Sequence, residues 1–470
     1  MKHVPQAWAA AMAVAAGLTA IVAGGCTQST GPGDGAVPTP PVAPAALTSG
    51  AMAARWQSEI PLAPNTHLTD LWVRGGYVIG HGSDHRVYVL DAETGVRRWS
   101  ADLAETHETV WAPAAHRGRL WFVTTTRLMG FQGSDGRNIV AEALTPASQL
   151  APPVEEPEAA EAGEAGEATE PAPTWGGTTD AQRRAAADIA QIKRHEGELN
   201  RFLATEKNAI HLDFGPAGPP ATDGSHVFIP DAKGWLQAVS IRPRLVSWGR
   251  WTDDAITAGP VVDASHVYFA GHNGMVYASA QNMRRIIWQY QTEGPIRADL
   301  RLTDTGMVLA SSTDYSLYAF NAASGILEWN QLPNRRYNAG EPIRKPPYTF
   351  GEQVFLFTRS AGLTVLDTTT GKKQWQLQTG LDLITADADT VYVLGRGNDL
   401  LAVNRTKGEV RFAIPLRRGT RIGINESGTG VLYLATPEGQ VWAIASAAEP
   451  EQPAEAPPPG EQAPAPAPSP

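Results

Sequence analysis

Cysteine is all but missing from this chain: Cys26 is the single one in 470 residues, so no disulfide can form within it. Basic residues are outnumbered, with 38 Lys and Arg against 48 Asp and Glu and a formal net charge of −10. That balance excludes a nucleic-acid binder, because phosphate binding needs a positive surface. Long apolar runs are also scarce. The run from Ala7 to Ala23 stands out, and it is too short and too rich in alanine to span a membrane. What remains is ample for a core: 42% of residues are hydrophobic and 14 are tryptophan. The length fits one large all-β domain or two to three ordinary ones.

After Lys2 and His3 the apolar run leads into Val22-Ala23-Gly24-Gly25-Cys26. Small residues before a cysteine resemble the lipobox of bacterial lipoproteins. The resemblance implies that 1–25 is a signal peptide and that Cys26 becomes the acylated first residue, anchoring the chain stably in a membrane. Thr27 in the next position implies the outer membrane. Residues 26–52, rich in Pro, Gly, Ser, Thr and Ala, read as a flexible tether, and 447–470, rich in Pro, Ala and Glu, as a disordered tail.

Between them lies a repeat. Val87-Tyr88-Val89-Leu90-Asp91 is followed by Gly95 and Trp99; Leu317 to Asn321 by Gly325 and Trp329; Leu363 to Asp367 by Gly371 and Trp375; Leu400 to Asn404 by Gly408 and Phe412. Weaker copies align on Gln132, Ser240, Ala280 and Ala445. The eight anchors stand 37 to 46 residues apart, with one gap of 108. That period is the one expected of four-stranded propeller blades. The apolar run reads as a strand, the Asp or Asn as the start of a turn, and the Gly as a position needing positive φ. Eight residues beyond the anchors come Trp99, Val140, Trp248, Trp288, Trp329, Trp375 and Phe412, placed on outer strands to fill the widening space between blades. The eighth anchor has only Pro453 there. Trp56, which has no blade before it, supplies the missing strand, so the N-terminal segment closes the ring and hides two edges. The expected fold is an all-β, eight-bladed propeller of four-stranded antiparallel blades. Its parts are 53–145 and 206–446, separated by an insertion at 146–205.

The insertion has seven Glu between Glu155 and Glu170 and reads as disordered there. From Thr179 and Gln182, a capping-box pattern, apolar residues Ala185, Ile189, Ile192, Leu199, Phe202 and Leu203 fall on one face of an expected helix. The most unusual surface segment is basic and aromatic: Arg335, Arg336, Tyr337, Arg344, Lys345 and Tyr348. Arg and Tyr favour binding hot spots, so these residues are read as a partner loop. Alanine at Arg335, Arg336 and Tyr348 is expected to weaken capture without lowering stability. His81, His85 and His272 lie on turns, but no third ligand follows at a telling spacing; they read as loop histidines, with no metal expected.

The Asp-x-x-Thr-Gly-x-x-x-Trp core resembles the pyrroloquinoline-quinone-like propeller repeat, over about 53–145 and 206–446. Eight repeats behind a lipobox look like the BamB lipoproteins of the outer-membrane β-barrel assembly machinery. The resemblance implies a scaffold without catalysis or cofactor, bound to the outer membrane on its periplasmic side. It also implies a protein partner, the barrel insertase, with the chain a monomer within a complex. The alternative is an exported binding or sensor propeller for an unrelated protein or a cell-surface polymer. Least favoured is a quinoprotein dehydrogenase: that class typically carries a vicinal cysteine pair, and no Asp/Glu/Asn cluster suited to a general base and calcium stands out.

Overall fold

The computed structural model describes residues 52–105, 107–142, 205–206, 209–242, 245–282 and 285–446. Cys26, the expected tether, the expected helix from Thr179 and the expected tail lie outside the described residues, Met52 excepted.

Eight antiparallel sheets follow one another around a ring, each beginning at the inside and ending at the rim. Blade 1 shows the pattern: Leu68–Arg74, Tyr77–Gly82, Arg86–Asp91 and Arg97–Asp102. In each blade the middle strands are buried on both faces, as in Arg86–Asp91, where Val87, Val89 and Leu90 are fully buried. Short continuous apolar runs bounded by turns therefore become central strands. All eight anchors lie at the outgoing end of a third strand, Ala445 one residue from its end and the other seven at the last position. The last sheet is completed by Met52–Glu59, which pairs with Gln440–Ser446 in register Met52 with Ser446 and Glu59 with Gln440. The N-terminal strand closes the ring as the sequence indicates.

The anchor turns at Asp91, Asn321, Asp367 and Asn404 are built as expected. The Asp91 carboxylate accepts from the backbone N–H of Glu93 and Thr94 at 3.1 and 3.0 Å, and Asn404 does the same for Thr406 and Lys407. Gly95 follows at φ 71°. Six tryptophans then tie neighbouring blades by one contact. The indole N–H of Trp56, Trp99, Trp248, Trp288, Trp329 and Trp375 donates to the carbonyl of the residue after the next blade's anchor, at 2.8–3.0 Å. Phe412, without an N–H, packs at the seventh junction among Met52, Ile414 and Trp442.

Two details differ from the sequence reading. The outer strand of blade 2 is not near Val140: Ile139–Glu142 is a helical turn. Its place is taken by Ala209–His211, with Ile210 opposite Leu128, and Thr205–Glu206 adds a fifth strand. The insertion thus interrupts blade 2 rather than following it. Ile139 and Val140 still serve the junction, packing with Ile210 against Val227, Val239 and Ile241 of blade 3. Burial at that position is satisfied by a helix as well as by a strand. In blade 5, Trp329 is buried, but its strand breaks after Leu327, detours through the 3-10 turn Pro333–Arg335, and resumes at Tyr337–Asn338 opposite Leu317 and Ser316.

Two faces result. The turn face carries the turns between first and second and between third and fourth strands; on it the described strands begin at Met52 and end at Ser446, and the chain passes Glu142. The connector face carries the loops between second and third strands and the links from blade to blade.

Candidate functional site

First strands line the central channel. A cavity of about 460 Å³ lies among Arg74, Ala114, Pro220, Gly259, Asp299 and Arg301, and a second of about 450 Å³ among Arg74, Arg301, Asn425, Glu426 and Tyr433. The walls from blades 2 to 4 are small or apolar, Ala112-Pro113-Ala114, Pro219-Pro220-Ala221 and Gly259-Pro260-Val261, and the charge is concentrated on blades 1, 5 and 8.

That charge is arranged as a bridge. Arg301 of blade 5 forms a forked pair with Glu426 of blade 8, with Arg74 of blade 1 at 4.0 Å from the same carboxylate. A bidentate guanidinium–carboxylate pair fixes geometry as well as charge. Arg301 also donates through Nε to the Pro347 carbonyl at 3.1 Å, and its guanidinium stands 5.5 Å over the Tyr348 ring. Glu426 sits on a loop that is itself pinned. Buried Asn425 bonds the Val431 carbonyl and the Ser427 N–H, and Gly430 donates to Ala386 of blade 7 at 3.0 Å. Beside the bridge, the Asp299 carboxylate accepts the Gly259 N–H at 2.6 Å. Burial pushes the Asp299 carboxyl above the usual range, against this hydrogen bond and the nearby Arg301 and Arg74 charges.

The six residues of the expected partner loop divide. Tyr348 is 5% exposed, on the first strand of blade 6, with its hydroxyl donating to Asp382 at 3.3 Å. Burial first, then the Asp382 charge, pushes its phenol up. Lys345 pairs with Asp382 and donates to the Leu381 carbonyl. Arg336 pairs with Glu293 at 2.6 Å and donates to the Tyr318 hydroxyl, and Tyr337 is half-buried in the resumed strand. Only Arg335 and Arg344 of the six are exposed. Tyr348 and Arg336 are thus engaged within the ring, Tyr348 buried against Asp382 and Arg336 paired with Glu293 and bonded to Tyr318. Nothing in the local sequence distinguishes them, because their partners lie in other blades or strands.

The turn histidines are engaged as well. His81 is buried, with Nδ1 facing Asp70 at 3.1 Å and Thr69 at 3.0 Å, and Nε2 facing His85 at 3.3 Å. His272 faces the Thr257 hydroxyl at 2.8 Å. Among the described residues no group of three or more His, Cys, Asp and Glu comes together as a metal site, and no helix is long and apolar enough to cross a membrane. A quinone with a calcium ion would need several hard oxygen ligands and a flat slot at the channel. The carboxylate and amide side chains lining the channel cavities are Asp299, Asn425 and Glu426, and Glu426 is already paired with Arg301.

Ring, anchor turns and interblade tryptophans together define an eight-bladed β-propeller. Residues 232–382 match the family model described as "Outer membrane protein assembly factor BamB". Among solved structures, that of BamB from Moraxella catarrhalis is similar, with a TM-score of 0.54 and 13% identity over 85% of this chain and 98% of that one. The computationally designed Ika8 protein is similar too, with a TM-score of 0.54 and 11% identity over 83% of this chain and 98% of that one. At these identities the likeness is one of fold. No curated protein matches the chain in sequence.

Proposed function

We propose that this protein is a non-catalytic, lipid-anchored scaffold on the periplasmic side of the outer membrane, assisting the assembly of β-barrel proteins. The observation that carries the non-catalytic part is the Arg301–Glu426 bridge with Arg74 beside it. It commits Arg74, Arg301 and Glu426 to one another, which favours the faces and the rim as the working surfaces. The match of residues 232–382 to the assembly-factor family and the lipobox-like run ending at Cys26 support the cellular role. A ring with closed edges and many exposed loops suits binding of other chains without chemistry.

Cross-linking in cells, followed by affinity purification and mass spectrometry, tests this. Recovery of the barrel insertase is the expected result. Envelope or matrix proteins recovered in its place would replace the assembly role with that of an exported binding propeller. Quinone absorbance in the purified protein would overturn the non-catalytic reading.

A further inference from the structure

The chain carries ten more acidic than basic charges, yet the connector face of blades 5 to 8 runs the other way. Arg344 lies on the link between blades 5 and 6, Arg359 on the inner loop of blade 6, Arg396 on that of blade 7, and Arg417 and Arg418 on the link between blades 7 and 8. All five are exposed. Hydrogen bonds show that these loops form one continuous surface. Glu341, on the Arg344 loop, accepts from the N–H of Ser360 and Ala361 beside Arg359 at 2.7 and 3.2 Å. Arg396 donates to the Arg359 carbonyl and, at 3.0 Å, to that of Gln378. Asn398 and Leu416 exchange hydrogen bonds at 2.9 and 3.0 Å, which sets Arg417 next to the Arg396 loop.

Two acids of this surface are committed. Glu341 is taken up by Ser360 and Ala361, and Asp382 by Lys345 and Tyr348. Asp399 lies beside Gly395 and Gly397 with one carboxylate oxygen buried and unbonded, and Glu59 and Glu438 are exposed. Among the described residues, none of the side chains of Arg344, Arg359, Arg417 and Arg418 is held in an ion pair. Leu381, 39% exposed beside Lys345, adds an apolar foothold.

We propose that this arc docks an acidic, extended polypeptide segment of a partner. The reading rests on the scaffold role above and names the chemistry of the segment it receives. Guanidinium forks match discrete carboxylates. The arc is long and narrow, stepping from loop to loop, which suits a chain laid across it. Arg396, pinned to two carbonyls, presents a fixed direction that a diffuse layer of lipid headgroups does not need. The arc is also on the face opposite the one where the described strands begin and end.

The test uses the full chain and a fluorescein-labelled peptide of about twelve residues, rich in Glu with interspersed Leu, read by fluorescence anisotropy at low and high salt. The wild-type protein is expected to bind it, more weakly as salt rises. Replacing Arg344, Arg359, Arg417 and Arg418 together by Gln should weaken binding about tenfold with an unchanged melting temperature. Replacing Arg242, Arg285 and Lys407 of the turn face by Gln should leave binding as it was. Equal affinity in wild type and arc variant, or an equal loss in both variants, would overturn the proposal. So would arc-dependent binding to phosphatidylglycerol vesicles with none to the peptide. The scaffold reading fails separately, if the wild-type chain does not capture the insertase.

Discussion

The indole of Trp56 rests on Gly95: its N–H donates to the Ala92 carbonyl at 3.0 Å, and a β-carbon on Gly95 would stand 2.5 Å from the ring. One residue lies on the strand that completes the last blade, the other in the anchor turn of the first. Gly95 meets two demands at once, a backbone at φ 71° and a surface flat enough for a neighbour's tryptophan.

Gly95→Ala should therefore lower stability by about 2–4 kcal/mol, combining backbone strain with overpacking. Gly306→Ala is the control, since Gly306 has φ +76° but nothing within 4 Å of an added β-carbon; it should cost about 1 kcal/mol. Urea unfolding of both variants checks the difference. Equal losses would mean that the tryptophan contact adds nothing.

Glu426→Gln removes the charge that Arg301 and Arg74 share. Arg301 keeps the Pro347 carbonyl and the Tyr348 ring, so the loss should be about 1–2 kcal/mol rather than collapse. The denaturant midpoint should fall while the slope stays constant.

Two carboxylates should pull the pH dependence in opposite directions. Burial works to raise Asp263, but hydrogen bonds from the Tyr268 hydroxyl and the N–H of Ser265 and His266 outweigh it and hold the carboxyl below its usual range. Its folded value is depressed, so its contribution is present above the unfolded value and is lost as pH falls through the folded one. Asp299 is raised by burial, so its ionised form weakens the fold at neutral pH and the penalty is relieved as pH falls. Asp299→Asn, which can still accept the Gly259 N–H, should raise the urea midpoint at pH 7 and narrow the gap between pH 7 and pH 5. Asp263→Asn should lower the midpoint at pH 7.

Cys26→Ser should abolish lipid attachment. Metabolic labelling with a radioactive fatty acid is expected to mark the wild-type protein and leave the variant unlabelled and washed from membranes at high salt. A labelled variant would remove Cys26 from the anchor.

Much of the ring was legible because each blade's decisive contacts are short in sequence. Asp91, Thr94 and Gly95 form one turn, and Trp99 follows at a fixed offset. Even the tryptophan's partner is periodic, about one repeat ahead. Legibility failed where a contact spans an interruption. Ile210 reaches Leu128 across the insertion, so local pattern placed the outer strand of blade 2 at Val140. It failed again where polarity masquerades as exposure. Lys345 and Tyr348 look like loop residues until Asp382 supplies their partner. The Arg301–Glu426 bridge joins residues 125 apart, and no periodicity announces it.

The strand Met52–Glu59 finds its place only against Gln440–Ser446, near the opposite end of the described chain. Synthesis proceeds from the N-terminus, so the first strand made is the last to be paired. Until then it is an exposed, unclaimed edge, competing for any other strand nearby. Blades rich in local hairpins can form early, whereas the closing step waits on the longest-range pairing among the described residues. A half-made ring therefore leaves one strand edge open to other chains until that pairing forms.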